Sequence, residues 1–282
     1  MSAVATIADT VKDAASALHA HSESPRLDAE LLLATLLGVS RTALIARGDE
    51  PLAASDGYSF AQLIRRRAGG MPVAYLTGRR EFWSLPLEVT PAVLVPRPET
   101  EILVERALAT MPADAGCTAL DLGTGSGAIA LSLAHERPHW SITGADISRA
   151  ALEVARSNAR LLGLPQIRWR QGSWFDAVAG ERFQLIVSNP PYIAAADPAL
   201  AALAAEPVMA LSSGPSGLEA LSAIIADAPR HLDAGGVLVL EHGVSQAQDV
   251  AQLLERHGFT SIQNHPDFSG RPRVALGIHT PN

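Results

Sequence analysis

The first candidate site is a glycine-rich segment at the end of a predicted strand. The residues in it that we expect to contact a ligand are Asp121, Gly123, Thr124, Gly125, Ser126 and Gly127. Glycine adopts positive φ at little cost and lets the backbone approach a ligand closely. The helix that follows offers free backbone N–H groups at its N-terminus. An ordinary tight turn needs glycine as well, so this loop alone leaves ligand binding and turn formation equally open.

A lone carboxylate ends the next predicted strand. Asp146 lies 23 residues after Gly123 and is followed by Ile147. An acid in this position can accept hydrogen bonds from both hydroxyls of an adenosine ribose. Asp146 could instead cap the helix that starts near Arg149, but Ser148 would serve equally well. Together with the glycine loop, Asp146 and Ile147 are therefore predicted to bind an adenosine-containing cofactor.

The spacing of the glycines helps to choose between two such cofactors. Gly123-x-Gly125-x-Gly127 differs from the Gly-x-Gly-x-x-Gly pattern of dinucleotide sites. A carboxylate at Asp121 is also unfavourable beside a pyrophosphate, whereas it suits the cationic amino-acid end of S-adenosylmethionine. The sequence favours S-adenosylmethionine over a nicotinamide dinucleotide.

The motif that indicates a reaction is Asn189-Pro190-Pro191-Tyr192, at the end of the fourth predicted strand of the sheet. Ligands of open α/β sheets bind outside the carboxyl ends of the strands, which places this motif beside the glycine loop. The two prolines stiffen the backbone and remove two N–H donors. The oxygens of Asn189 and Pro190 can then converge as acceptors, and Tyr192 offers an aromatic face.

Such acceptors fit a planar –NH2 group and can aim its nitrogen at an electrophile. Methyl transfer from a sulfonium is an in-line displacement, in which alignment supplies much of the catalysis. Acceptors that favour positive charge on the attacking nitrogen stabilise the transition state more than the ground state. Asn189, Pro190 and Tyr192 are the predicted catalytic residues, and the ring of Tyr192 is expected near the sulfonium.

Alternating strands and helices after residue 117 predict a doubly wound, Rossmann-like sheet of seven strands. The last two strands have no helix between them, so the last strand is predicted to be antiparallel. The predicted strands are 118–121, 141–146, 167–171, 183–188, 236–242, 261–265 and 273–278. The predicted helices of this region are 127–136, 149–162, 218–231 and 245–257, preceded by a helix over 99–111.

The residues before this region have a helical pattern and no alternation of strands and helices. Helical spacing of apolar residues predicts a small N-terminal helical bundle over residues 1–75, with Ser40 and Ser55 as N-caps. Residues 76–98 are rich in proline and predict a connector with a short β-hairpin. Residues 99–282 form the predicted methyltransferase domain.

Composition excludes several classes of protein. The 282 residues carry a net charge of −7, which argues against direct binding of nucleic acid through its phosphates. Short, interrupted apolar runs predict no membrane span, and no secretory signal is evident. The single cysteine, Cys117, excludes a disulfide framework and a cysteine-based zinc cluster, and we predict no metal. We expect a cytoplasmic protein and a monomer.

The combined motifs resemble S-adenosylmethionine-dependent methyltransferases that act on planar amino or amide nitrogens. The rest of the chain resembles one family among them, the peptide chain release factor glutamine methyltransferases. The resemblance covers nearly the whole chain and includes residues 28–32, 72–78, 95–101, 206–207 and 210–211 and the loop with Gly214 and Gly217.

This resemblance implies N5-methylation of the glutamine in the Gly-Gly-Gln motif of class 1 peptide chain release factors, with S-adenosylhomocysteine as the other product. It implies that the glycine loop cradles the cofactor and Asp146 holds its ribose. Trp174 would lie at the adenine, and residues 189–192 would hold the glutamine amide. The N-terminal domain would help to grip the release factor, with Arg65–Arg67 as a candidate contact.

Three alternatives stay open. An adenine-N6 nucleic-acid methyltransferase uses the same acceptors, but it requires a flipped base and a basic groove. A non-catalytic partner-binding protein could keep the fold, and binding of S-adenosylmethionine without turnover would indicate it. A nicotinamide oxidoreductase would be detected by its preference for that cofactor.

Overall fold

The computed structural model describes residues 5–112 and 114–280. Its contacts divide the chain into two compact units. The first unit runs through the N-terminal helices to Arg79 and includes Ala202–Ala205. The second unit comprises Arg80–Ala201 and the chain from Glu206 onward. Each unit has its own buried apolar core.

The first unit is helical. Its helices are α1 (Ile7–Leu18), α2 (Pro25–Leu37), α3 (Arg41–Ala46), α4 (Ala54–Ala68) and α5 (Val73–Thr77). The apolar stripe of α1 supplies Ile7, Val11 and Leu18 to a core shared with the buried leucines of α2. Burial of such stripes is the main source of stability for helices of this length.

The helix starts show which caps the sequence predicts correctly. Ser40 caps α3, since its hydroxyl accepts a hydrogen bond from the N–H of Ala43 at 3.1 Å. The predicted cap at Ser55 is wrong, because the N-cap of α4 is Ala53, two residues earlier, and it makes no side-chain cap bond. Asp56 in the first turn of α4 supplies the negative charge that a helix N-terminus favours.

A short hairpin opens the second unit. Strands β1 (Arg79–Phe82) and β2 (Leu85–Glu88) are joined by Trp83 and Ser84, whose φ values are +52° and +58°. Two consecutive positive φ values are typical of the tight turns that match the twist of a hairpin. The buried side chain of Asn158 bonds both the N–H and the carbonyl of Glu88, at 2.7 and 3.0 Å, and so fixes the end of the hairpin.

The rest of the second unit alternates strands with helices, in agreement with the predicted pattern. The strands are β3 (Thr118–Leu122), β4 (Ser141–Asp146), β5 (Arg168–Gln171), β6 (Phe183–Ser188), β7 (Leu232–Glu241), β8 (Phe259–Pro266) and β9 (Pro272–His279). The helices are α6 (Thr100–Ala109), α7 (Ala128–Glu136), α8 (Arg149–Leu161), α9 (Ala199–Ala202), α10 (Glu219–His231) and α11 (Ala247–Arg256). Two 3-10 turns cover Trp174–Val178 and Val208–Ala210.

Strands β3–β9 form one seven-stranded sheet in the order β5-β4-β3-β6-β7-β9-β8. The pairs from β5 to β7 are parallel, whereas β9 runs antiparallel to both of its neighbours. The predicted Rossmann-like sheet with an antiparallel last strand is confirmed. From β3 the chain adds strands first on one side of the sheet (β4, β5) and then on the other (β6, β7). The carboxyl ends of β3 and β6 therefore flank the crevice where ligands of open α/β sheets bind.

Trp169 on β5 packs beneath the glycine loop in space that glycines leave free. A Cβ atom on Gly144, in the neighbouring strand, would lie 2.4 Å from Cζ3 of the indole. A Cβ atom on Gly127 would lie 3.1 Å from Cη2 of the same ring, and Gly127 also has a φ of +84°. Both glycines are therefore required for the indole to support the loop from below.

We expect Gly144→Ala to lower the free energy of unfolding by about 1–3 kcal/mol, because the added methyl group overpacks a filled space. Urea denaturation followed by circular dichroism measures the change. Gly116→Ala is the matched control, since a Cβ atom there meets no atom within 4 Å. Equal unfolding midpoints for the two variants would contradict this packing argument.

Candidate active site

A pocket of about 350 Å³ opens at the carboxyl ends of β3, β4 and β6. Its wall contains seven of the residues that the sequence assigns to a site: Gly123, Gly125, Asp146, Ile147, Trp174, Asn189 and Pro191. The volume falls in the range of sites that bind small molecules and cofactors. The structure thus brings the glycine loop, the lone acid and two residues of the Asn-Pro-Pro-Tyr motif to one cavity.

The glycine loop is shaped by backbone bonds to the neighbouring strand. The carbonyl of Ala145 accepts hydrogen bonds from the N–H groups of Gly123 and Thr124, at 2.8 and 2.9 Å. The N–H of Gly125 donates to Oδ2 of Asp146 at 2.9 Å. Gly123 and Gly125 have φ values of +70° and +56°, which L side chains rarely adopt. These glycines are required by the backbone conformation itself.

Asp146 keeps acceptor capacity for a ligand. Its Oδ2 atom accepts from Gly125, and its Oδ1 atom accepts from the N–H of Ser148 at 2.8 Å. A carboxylate has about four lone-pair directions, so each oxygen can accept a further bond. Burial raises the pKa of Asp146, while the backbone N–H donors oppose that rise. The geometry suits a pair of vicinal hydroxyls such as those of a ribose.

Asp121 lies on β3, one residue before the strand ends. It is fully buried, and its Oδ2 atom accepts bonds from Oγ1 of Thr124 at 2.5 Å and from the N–H of Ala130 at 3.2 Å. Burial raises the pKa of Asp121 to about 7, against the effect of those two donors. Asp121 joins the loop to the start of α7. It does not line the pocket in this structure, and its predicted contact with a ligand stays a prediction.

Three further residues of the loop also lie behind the pocket wall. Thr124, Ser126 and Gly127 are buried and are not among the lining residues. Ser126 offers its carbonyl to the buried amide of Asn158, at 2.9 Å. In this structure Asp121 and these three residues hold the loop in shape, and Gly123 and Gly125 present its surface. Their predicted contacts with a ligand stay predictions.

Trp174 follows Gly172 and Ser173 on one side of the pocket, where it has a φ of +43°. Positive φ is costly for a bulky residue, and such strain often accompanies a binding site. The indole shares the pocket with Ile147, which is 53% exposed. These two apolar surfaces suit a flat aromatic group such as adenine.

The Asn-Pro-Pro-Tyr motif begins where β6 ends. The hydroxyl of Ser188 donates to the carbonyl of Leu122 at 2.7 Å and fixes the strand end against β3. The side-chain N–H of Asn189 donates to Oγ1 of Thr100 at 3.0 Å. Pro190 is buried, and Pro191 lines the pocket. The predicted contact of Pro190 with a substrate stays a prediction.

Tyr192 does not line the pocket in this structure. Its hydroxyl donates to Oε1 of Glu241 at 3.2 Å, and its carbonyl accepts from the side-chain amide of Gln246 at 3.1 Å. Burial and the charge of Glu241 raise the pKa of the phenol beyond its ordinary range. The expected contact of its ring with a sulfonium therefore stays a prediction.

Two wall segments come from parts of the chain to which the sequence assigns no role. Ala92–Leu94 forms one segment, and Pro207 with Met209 and Ala210 forms part of the other. The buried carboxylate of Glu206 joins them, because it pairs with the guanidinium of Arg97 and accepts the N–H of Val95 at 3.0 Å. Two sequence segments could have indicated this part of the wall: residues 95–101 and Glu206-Pro207. Both belong to the family resemblance, which assigns them no role in the site.

Within residues 5–112 and 114–280, no group of three or more His, Cys, Asp and Glu side chains is placed to hold a metal ion. His135 and His139 are four residues apart, but α7 ends at Glu136, and the ring of His139 contacts the carbonyl of Ala115 at 3.0 Å. In the same residues, no helix has both the length and the apolar character that crossing a membrane requires.

Solved structures and a family model define the class. The fold is similar to that of a methyltransferase from Pyrococcus furiosus, with a TM-score of 0.54 and 20% identity over 70% of this chain and 90% of that one. It is also similar to a 16S rRNA methyltransferase from T. thermophilus, with a TM-score of 0.55 and 19% identity over 71% of this chain and 49% of that one. The model of the methyltransferase small domain matches residues 99–214. The solved structures show that the fold is Rossmann-like, and the family model assigns residues 99–214 to a methyltransferase small domain.

Closer relatives identify the family. The chain is 49% identical over 254 residues to release factor glutamine methyltransferase from Xylella fastidiosa (strain Temecula1), covering 89% of this chain and 92% of the relative. It is 47% identical to the enzyme of that name from Salmonella typhimurium, covering 92% and 94%. The model of the PrmC N-terminal domain matches residues 9–78. The chain belongs to the release factor glutamine methyltransferase family, which implies S-adenosylmethionine as methyl donor.

We expect Asp146→Asn to weaken binding of S-adenosylmethionine about tenfold, close to the low end of what a hydrogen bond to a charged group contributes. The amide has one acceptor oxygen in place of two. Isothermal titration calorimetry measures the dissociation constant, and Asp227→Asn, an exposed position on α10, is the control. An unchanged affinity in Asp146→Asn would show that this carboxylate does not hold the cofactor.

Proposed function

We propose that this protein transfers a methyl group from S-adenosylmethionine to the side-chain amide nitrogen (N5) of the glutamine in the Gly-Gly-Gln motif of class 1 peptide chain release factors. One observation carries the proposal: the NH2 group of Asn189 is held by Thr100, so its Oδ1 atom is left as an acceptor at the pocket. Membership of the family supports the choice of substrate. Such methylation supports translation termination and places the protein in the cytoplasm.

The substrate amide matches the acceptors of the motif. A glutamine amide presents two N–H donors in one plane. Oδ1 of Asn189 can accept one of them, and the carbonyl of Pro190 is suited to accept the other. Neither Pro190 nor Pro191 has an N–H group that would compete for these oxygens. A hydroxyl or thiol substrate would leave one acceptor without a donor.

The chemical step needs alignment more than acid–base catalysis. S-adenosylmethionine, when bound, supplies a methyl group that is electrophilic because it is attached to a sulfonium. The new N–C bond forms as the C–S bond breaks, and one amide proton leaves to solvent. Amide nitrogen is a poor nucleophile, because its lone pair is delocalised into the carbonyl. Asn189 and Pro190 strengthen their bonds to the N–H groups as the nitrogen becomes positive, which favours the transition state.

The cofactor end of the pocket is assigned on the same grounds. Asp146 is proposed to accept the two ribose hydroxyls, and Trp174 with Ile147 to enclose the adenine. Gly123 and Gly125 then form the floor beneath the methionine part. The partner is a release factor, and the sequence gives no sign of direct binding to nucleic acid or to a membrane.

Among the described residues, only part of the basic cluster Arg65–Arg67 is exposed and without an ion pair to a buried carboxylate. Arg67 pairs with the buried carboxylate of Asp28 at 2.8 Å, and the two hydroxyls of Ser22 and Ser24 bond the same carboxylate. Arg65 and Arg66 are exposed. We therefore restrict the candidate contact with the release factor to Arg65 and Arg66, and assign Arg67 to the link between α4 and α2.

Mass spectrometry of a purified class 1 release factor, incubated with the protein and S-adenosylmethionine, tests the reaction. We expect a gain of one methyl group on the glutamine of the Gly-Gly-Gln motif. Asn189→Ala should lower kcat at least about a hundredfold, because it removes a preorganised polar group at the reacting centre. Gln252→Ala, an exposed amide on α11, is the matched control and should keep full activity.

Two outcomes would contradict the proposal. Absence of methylation while S-adenosylmethionine binds would exclude this substrate, and nucleic acids with exocyclic amines would be assayed next. Methylation of a release factor in which the motif glutamine is replaced by alanine would show that the methyl group goes elsewhere.

Charge reversal tests the docking of the release factor. We expect Arg65→Glu with Arg66→Glu to raise the KM for the release factor about fivefold or more, since two exposed charges change sign at a contact that steers association. The affinity for S-adenosylmethionine should not change. Arg256→Glu, an exposed arginine on α11, is the control. An unchanged KM in the double variant would remove this surface from the proposed interface.

A further inference from the structure

A chain of three side chains extends inward from the pocket. The NH2 group of Asn189, after β6, donates to Oγ1 of Thr100 at 3.0 Å. The hydroxyl of Thr100, the first residue of α6, donates to Oε2 of Glu241 at 2.7 Å. Glu241 is the last residue of β7. Thr100 is 4% exposed and Glu241 is 1% exposed, so water has little access to either bond.

The direction of these bonds is fixed by Glu241. While Glu241 is ionised, its carboxylate only accepts hydrogen bonds, so the hydroxyl of Thr100 must donate to it. That hydroxyl has one proton, and its oxygen is then left to accept from a donor. The donor is the NH2 group of Asn189. The amide oxygen and nitrogen have nearly the same shape, so this chain is what decides which of them faces the pocket.

Further contacts hold Glu241 as the acceptor at the end of the chain. The hydroxyl of Tyr192 donates to its Oε1 atom, so both carboxylate oxygens have a donor. Burial raises the pKa of Glu241 to about 7, and the hydroxyls of Thr100 and Tyr192 and the charge of Arg273 oppose that rise. Glu99 is the other charged group whose field acts on this carboxyl, and it acts to raise the pKa.

We propose that Thr100 and Glu241 are positioning residues, which orient the side-chain amide of Asn189 so that its oxygen faces the glutamine of the substrate. This inference rests on the proposed function. In the opposite orientation, the NH2 group of Asn189 would meet the NH2 group of the substrate, and two donors cannot bond each other. Thr100 and Glu241 act through Asn189 and touch neither substrate nor cofactor.

The proposal predicts which kinetic parameter changes. The release factor docks through a surface much larger than one amide, and Asp146 with the glycine loop holds the cofactor. Loss of the orienting hydroxyl should therefore reduce the fraction of bound substrate that is aligned for attack. This lowers kcat, while the KM for the release factor and the affinity for S-adenosylmethionine stay the same.

The experiment compares Thr100→Val with Thr100→Ser. Valine keeps the shape of threonine and removes the hydroxyl, whereas serine keeps the hydroxyl and loses a methyl group. We expect Thr100→Val to lower kcat about tenfold or more, equal to about 1.4 kcal/mol in the barrier, and Thr100→Ser to stay within about threefold of the wild type. Both variants should bind S-adenosylmethionine as the wild type does. The ¹⁵N side-chain signal of Asn189 should shift in Thr100→Val and return close to its place in Thr100→Ser.

Glu241→Gln provides a second variant that does not alter Thr100. Its amide can donate as well as accept, so it no longer imposes one direction on the hydroxyl of Thr100. We expect a lower kcat with an unchanged KM, together with a shift of the Asn189 side-chain signal.

The outcomes separate this inference from the function it rests on. A wild-type protein that methylates no release factor contradicts the proposed function. An active wild type with equal kcat values in Thr100→Val, Thr100→Ser and Glu241→Gln overturns the positioning role. Equal loss in Thr100→Val and Thr100→Ser also overturns it, because the hydroxyl would then be irrelevant. If Thr100→Val does not fold, an unchanged kcat in Glu241→Gln is sufficient to overturn the positioning role.

Discussion

The carboxyl ends of parallel strands must leave a sheet at one edge, and this constraint determines where the site of this protein lies. Strands β4, β3 and β6 are consecutive in the sheet, and each is followed by a residue or loop whose polar groups contribute to the site. The glycine loop, Asp146 and Asn189 meet because their strands are parallel and in register, with Asp121 of β3 opposite Gly144 and Val187. The hydrogen bonds from Gly125 to Asp146 and from Ser188 to Leu122 then join the strand ends across the edge.

Local sequence patterns carry the fold and the parts of the site that lie in short segments. The alternation of strands and helices predicts the seven-stranded sheet, and Gly123, Gly125, Asp146 and Asn189 all reach the pocket. The side-chain contacts that support the site from the interior could not be predicted from local sequence patterns. Thr100 and Glu241 are 141 residues apart, and Arg97 and Glu206 are 109 residues apart, so only the folded chain reveals either pair. Asp121 shows a different difficulty: an acid at a strand end can contact a ligand or support the loop, and the strand pattern is the same in both cases.

Buried carboxylates have two kinds of partner in this protein. In the first unit, α2 carries two buried carboxylates, Asp28 and Glu30, which are paired with arginines of α4 (Arg67) and of α2 and α3 (Arg26 and Arg41). The pairs with Arg67 and Arg41 tie α2 to α4 and α3, in a unit that is too short for a large apolar core. In the second unit, Asp121 and Glu241 are buried among hydroxyl and N–H donors, and burial raises their pKa values. These carboxyls serve to orient neighbouring groups.

The space shared by Gly144 and Trp169 has a consequence for the history of the family. The indole fills the volume that a side chain on Gly144 would need, so a larger side chain at one position requires a smaller one at the other. A relative with a larger residue at the first position has to carry a smaller ring or none at the second. Comparison of many homologous chains should therefore show these two positions changing together, although they lie on different strands and neither touches the substrate.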